Sequence, residues 1–171
     1  VIFIPLIFLL VFLFFRRETK FWNGNDKVSI AINEGSDVLV ATFDPKGSSI
    51  SEIVISGDTQ VEVARSLGTF QLKSVWQLGV QERAGGSLLA KTVTKNFDFP
   101  VYIWADSQAS GFTRGSTSSL LAAVFSPYST NLGMGDKIRL ALFTLGVKNL
   151  NKVEIDLRDT GFVKKAKLID G

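Results

Sequence analysis

The sequence predicts an α/β domain in which a mixed central β-sheet is flanked by helices (an α-β-α sandwich), preceded by a membrane-anchor helix. Three observations predict it. Short runs rich in β-branched residues crowd residues 27–64, the apolar spacing then lengthens to a helical period from Leu67, and strand-like runs return at 98–106 and 151–159. Strands first, then helices, then strand, helices and strand imply one mixed sheet with helices on its faces.

The chain opens on "VIFIPLIFLLVFLFF", residues 1–15, which carry no polar side chain and are followed at once by Arg16 and Arg17. A helix crosses a bilayer's hydrocarbon core with about 20 apolar residues, so the run reads as the later part of a span that begins before Val1. A signal peptide would place small residues after its apolar core, and a buried helix would show a polar face. The expected organisation is therefore an anchor at 1–17, a linker at 18–26 and a domain at 27–171 with room for a further strand after Gly171. Arg16 and Arg17 pull the domain toward the cytoplasmic side, but the opposite flank is not in the sequence, so charge alone leaves the orientation open.

Within the domain, "KVSIAI" alternates, with Val28, Ile30 and Ile32 on one face. "DVLVATF" (37–43) is nearly continuous, as expected of a strand covered on both sides. "DPKGS" is a turn, and "SISEIVIS" and "QVEVA" supply two further strands. Apolar residues from Leu67 to Val80 suit a helix packed on a sheet, and Ser87 is placed to cap the next one. "DFPVYIWAD" reads as a buried strand with Pro100 near its start. "STSSLLAAVF" and "GDKIRLALFTLG" read as helices, the second ended by Gly146, and "NKVEIDLRD" alternates with Val153, Ile155 and Leu157 on one face.

Composition narrows the chemistry. The chain has neither cysteine nor histidine, which removes thiolate zinc sites, cysteine nucleophiles, the commonest general base and the Ser-His-Asp constellation. A net charge of +3 without a dense basic stripe excludes nucleic acid as the expected partner; the largest basic cluster is Lys164, Lys165 and Lys167.

The order "GSDVLVATFDPKG", "EIVISGDTQVEV", "LKSVWQLGVQERAGGSLLAKTV" and "FPVYIWAD", with a Gly111-Phe112 pair after it, resembles the LytR-CpsA-Psr family of bacterial cell-envelope proteins. The likeness spans about Ser29 to Phe125 and lies in the order of individually weak motifs. It implies a membrane-anchored domain outside the cytoplasm that moves a glycan polymer from a polyprenyl pyrophosphate carrier to cell-wall material. It also implies an apolar tunnel for the lipid, with arginines and a carboxylate-bound magnesium ion at the pyrophosphate. Phosphoryl chemistry asks for cations where negative charge develops, and guanidinium forks suit phosphate oxygens.

On that resemblance Asp37 and Asp58 are the magnesium ligands, and Asp58, Lys73 and Arg83 the catalytic candidates. Trp76, Phe97, Tyr102 and Trp104 are the lipid-lining candidates. The pattern breaks where the family's arginines fall on Gly35 and on Gly57, the latter preceded by Ser56 where proline is usual; Val75 also stands for the asparagine that follows the lysine matched by Lys73, and no arginine-rich stretch follows Phe125. One well-placed stabilising donor is worth about 3 to 4 kcal/mol in the transition state. The expectation is a catalytically impaired relative that binds the precursor or serves as a scaffold. An active transferase drawing cations from Arg65, Lys73, Arg83 or Arg114 and a purely structural interaction domain remain as alternatives. Each candidate has an ordinary counterpart: Gly57-Asp58-Thr59 is common turn chemistry, Gly85-Gly86 a tight turn before a helix, and the aromatics core packing.

Overall fold

The computed structural model describes residues 21–114 and 116–157, so the predicted anchor and the basic cluster at Lys164, Lys165 and Lys167 lie outside the described residues. Among the described residues no helix is long and apolar enough to cross a membrane.

The strands are β1 (Val28–Asn33), β2 (Asp37–Asp44), β3 (Ser49–Ser56), β4 (Gln60–Glu62), β5 (Thr69–Gln71), β6 (Ile103–Asp106) and β7 (Lys152–Asp156). The helices are α1 (Leu72–Gln81), α2 (Ser87–Phe97), α3 (Thr117–Phe125) and α4 (Met134–Gly146). The central sheet runs β6-β1-β2-β3-β7, with β2 antiparallel to both neighbours and β6 and β7 parallel at the edges. β4 and β5 form a separate hairpin-like pair.

The nearly continuous apolar run in β2 is explained by burial on both faces: Val38 and Val40 pack under α1 and α2, while Leu39, Ala41 and Phe43 pack under α3 and α4. The first face adds Ala31, Ile55, Leu72, Val75, Leu88, Leu89 and Val93; the second adds Ile30, Ile32, Ile50, Ile103 and Leu140. The α-β-α sandwich is as predicted.

Three local readings are corrected. The helix expected from Leu67 starts at Leu72, because Thr69–Gln71 pair with Gln60–Glu62 instead. The strand expected over 98–106 is confined to Ile103–Asp106: Asp98 takes a left-handed conformation that closes α2 (φ 58°), and Pro100 has no amide to offer a ladder. Ser87 is the first residue of α2 and donates to the Ala84 carbonyl rather than capping the helix; Gly86 holds the cap position. β7 alternates as read, but its apolar face is half open, with Val153 and Ile155 50% and 44% exposed.

Two polar devices secure the α4 side. Lys137 is buried with its ammonium 3.8 Å from the centre of the Tyr128 ring, and burial pushes its pKa down. The Tyr128 hydroxyl donates to the Ala123 carbonyl at 2.7 Å, and burial holds the phenol above its usual range. On the other side, Trp76 and Trp104 meet edge to face at 5.8 Å, and Gly86 lies against both rings. A Cβ there would overlap Trp104 and Trp76. We expect Gly86→Ala to lower stability by about 2 kcal/mol, the usual cost of forced repacking, read from the urea midpoint and from weakened near-ultraviolet tryptophan dichroism.

Candidate functional site

The corner suggested by the sequence is assembled as expected in one respect: the end of β3, the start of β2 and the start of α1 converge there. Gly57 N–H donates to Asp37 Oδ1 at 3.2 Å, and Lys73 Nζ meets Asp58 Oδ1 at 2.6 Å. The turn is closed by Thr59 N–H to the Ser56 carbonyl at 3.0 Å. The Gly57 and Thr59 carbonyls then accept from Lys73 N–H and Leu72 N–H at 2.9 Å each. The turn thus consumes the first amides of α1, which a phosphate at that helix terminus would need.

Gly57 has a specific reason to be glycine. Any Cβ at that position would run into the Ser36 carbonyl and the Lys73 side chain. An arginine is therefore excluded by the backbone itself. Gly35 has open space around it but sits at φ +81°, where residues with a Cβ are strained. The Asp58–Lys73 pair is largely exposed, its side chains 72% and 43% accessible, and such pairs contribute about 0 to 1 kcal/mol.

The other proposed cations lie apart from this turn. Arg83 lies two residues past the end of α1, beyond a helix of ten residues that spans about 15 Å from the Lys73 end. Arg65 lies in the short turn between β4 and β5. Arg114 is committed elsewhere: Nε donates to Glu52 Oε2 at 2.7 Å and Nη1 to Glu34 Oε2 at 3.4 Å. Its Nη2 lies 3.1 Å from Glu154 Oε1, but out of line for a hydrogen bond. Burial works against the charge on Arg114, yet the bond to Glu52 and the three carboxylates outweigh it and hold its pKa above the ordinary value. The sequence offered no signal for this clamp beyond Glu52 interrupting an apolar face, since its partners are 62 residues apart.

Two cavities bear on ligand binding, and neither includes Asp37, Gly57 or Asp58. The larger is an open groove of about 940 Å³ at the opposite end of the sheet. Its floor is Ser29, Thr42, Ser51 and Ile53; Phe99, Pro100 and Tyr102 form one rim and Phe21, Trp22 and Asn23 another. The floor is hydroxyl-bearing, with Ser29 and Thr42 bonded to each other at 2.9 Å; the rims are mainly aromatic, and Asp26, Lys27 and Arg139 also line the groove. From Ser51 to Gly57 the strand covers about 20 Å. The space between sheet and helices along that path is filled by Val38, Val40, Ile55, Leu72 and Val75, each 0–1% exposed. No tunnel joins the corner to the groove among the described residues. The smaller cavity, about 210 Å³, lies beside Arg114, Ser116, Thr117 and Lys152.

Of the four lipid-lining candidates, only Tyr102 lines the groove. Phe97 stacks on Phe99 at 6.5 Å and so supports a rim, while Trp76 and Trp104 pack on each other and on Gly86. Among the described residues no group of three or more acidic side chains is placed to hold a metal ion.

No family model and no curated protein matches this sequence. Solved structures do. The fold is similar to Bacillus subtilis TagV, with a TM-score of 0.57 at 11% identity over 77% of this chain and 84% of that one. It is similar to a LytR-CPS2A-psr family protein, YwtF (TagT), with bound octaprenyl pyrophosphate lipid, with a TM-score of 0.56 at 18% identity over 80% of both chains. TagT bound to LIIa-WTA matches with a TM-score of 0.55 at 17% identity, over 80% of this chain and 81% of that one. The resemblance read from motif order is thus met in the architecture: the chain has the fold of these proteins.

Two outcomes follow. Gly57→Arg should fail to build an arginine corner and instead cost about 3 kcal/mol, seen as an early urea transition with no gain in pyrophosphate binding by calorimetry. Arg114→Ala, which strands the buried Glu52, should cost about 3 kcal/mol; adding Glu52→Gln should return most of it, and a double-mutant cycle showing no coupling would contradict the clamp.

Proposed function

We propose that the protein is a membrane-tethered cell-envelope domain, a divergent LytR-CPS2A-psr relative, that holds a polyprenyl-linked glycan precursor by its lipid and does not itself transfer the glycan. The observation that carries the reading is the apolar-rimmed groove, set in a fold whose relative TagT holds octaprenyl pyrophosphate. Its volume lies within the range of small-molecule sites, about 300 to 1,000 Å³. Residues 1–15 supply the tether, and an extracytoplasmic position follows from the cell-wall partner that TagT's bound ligands suggest.

Loss of transfer activity is supported by the corner. Gly57 leaves no room for a guanidinium, Asp58 is neutralised by Lys73 and Arg114 is held by three glutamates. A magnesium ion prefers near-octahedral oxygen coordination. Asp37 already accepts from Gly57 N–H and Ser36 Oγ, and Asp58 holds an ammonium, so this donor set fits the ion poorly and no step of the reading depends on it.

The remaining role is binding and presentation. Pro100 and Tyr102 would lie along an apolar chain, the hydroxyl floor would tolerate a few waters, and the glycan would extend into solvent. A protein-interaction role finds support in Leu121 and Phe125 on α3 and Leu142 and Leu145 on α4, all more than half exposed.

The test is retention of a radiolabelled polyprenyl pyrophosphate by the detergent-purified full chain. Ser51→Phe, which fills the groove floor, should weaken retention at least tenfold, while Asp58→Asn and Lys73→Ala leave it unchanged. Retention insensitive to Ser51→Phe would defeat the groove as the site. Magnesium-dependent release of glycan, abolished by Lys73→Ala or Arg83→Ala, would replace this reading with an active transferase.

A further inference from the structure

We infer that the end of the domain bearing the groove is its membrane-docking face, with Phe21, Pro100 and Tyr102 seated in the interfacial layer of a lipid bilayer and the groove opening directly onto it. The inference rests on the proposed embedding of residues 1–15 and goes beyond it by fixing which face meets the lipid.

The first argument is reach. From Phe15 to Phe21 the chain takes six steps, so Phe21 lies within about 20 Å of wherever Phe15 is embedded. The second is attachment. Asp136, fully buried at the start of α4, accepts from Phe21 N–H at 3.3 Å and Trp22 N–H at 3.2 Å as well as from Gly133 N–H. One turn later, Arg139 Nη1 donates to the Asn23 carbonyl at 2.9 Å. The chain before Phe21 therefore joins the domain at a fixed point beside the groove. The corner at Gly57 is left about 20 Å farther along the strands.

The third argument is surface chemistry. Tyr102 is 75% exposed and Phe21 39%, with Pro100 exposed between the groove rim and α2. Amphipathic aromatics favour the headgroup layer. The groove lining itself carries little net charge, since Lys27 pairs with Asp44 at 2.9 Å and Asp26 and Arg139 are of opposite sign. Docking is thus driven by the tether and the aromatic rim and needs no anionic lipid. A hydrocarbon chain could then pass from bilayer to groove without crossing water.

The chain has no cysteine, so single cysteines report position cleanly. The full chain carrying Tyr102→Cys or Pro100→Cys, labelled with a fluorophore and reconstituted into phosphatidylcholine vesicles, should be quenched by headgroup-level spin-labelled lipid at least threefold more than Ser36→Cys at the far corner. Equal quenching at the two ends, or stronger quenching at residue 36, overturns the docking face while leaving the anchor intact. Failure of the chain to float with vesicles overturns anchor and docking face together. Polyprenyl retention is read separately in detergent.

Discussion

The structure depends on burying β2 from both sides. Val38, Leu39, Val40 and Ala41 are 0–1% exposed, which a strand achieves only when helices cover each face of its sheet. α3 and α4 cover one face. On the other, α1 and α2 pack over the part of the sheet nearest the Gly57 corner, and α2 closes at Asp98 before the far end is reached. The uncovered remainder is the groove. Its existence follows from a helix pair too short for the sheet it shields, with Phe99, Pro100 and Tyr102 as the chain's return path along the gap.

The same constraint separates the two places where chemistry might have been sought. A dry, filled layer lies between corner and groove, so a ligand in the groove does not touch Asp37 or Asp58 by threading the interior. Electrostatics agrees with packing. The described guanidinium with the most carboxylate contact, Arg114, joins β3, β7 and the β1–β2 turn and acts as a structural tie.

Much of the fold was legible because periodicity reports burial. The alternation in β1 and β3, the continuous run in β2 and the helical spacing of α2 and α4 each follow from local sequence meeting one or two buried faces. What escaped was non-local. Leu67 and Phe70 mimic helical spacing, and only pairing with Gln60–Glu62 reveals Thr69–Gln71 as a strand. Trp76 and Trp104 admitted a lipid-lining reading beside the commoner one of core packing, and the structure sets them against each other and against Gly86. The absence of arginine at position 57 was visible, but its cause, the Ser36 carbonyl lying where a side chain would start, was not. Asp136 showed locally only as an acidic residue in a helix's first turn, three residues from Gly133, because its Phe21 and Trp22 partners lie more than a hundred residues away, and the Glu52 partner of Arg114 lies 62 away.

The Asp136 clamp gives the domain a mechanical property. Tension applied to the chain before Phe21 would arrive first at the amides of Phe21 and Trp22, both of which donate to one buried carboxylate. Those bonds stand ahead of the β1 ladder along the load path. The linker can therefore yield by a short peeling step at α4 while the sheet keeps its register, which makes the joint a strain-relief point.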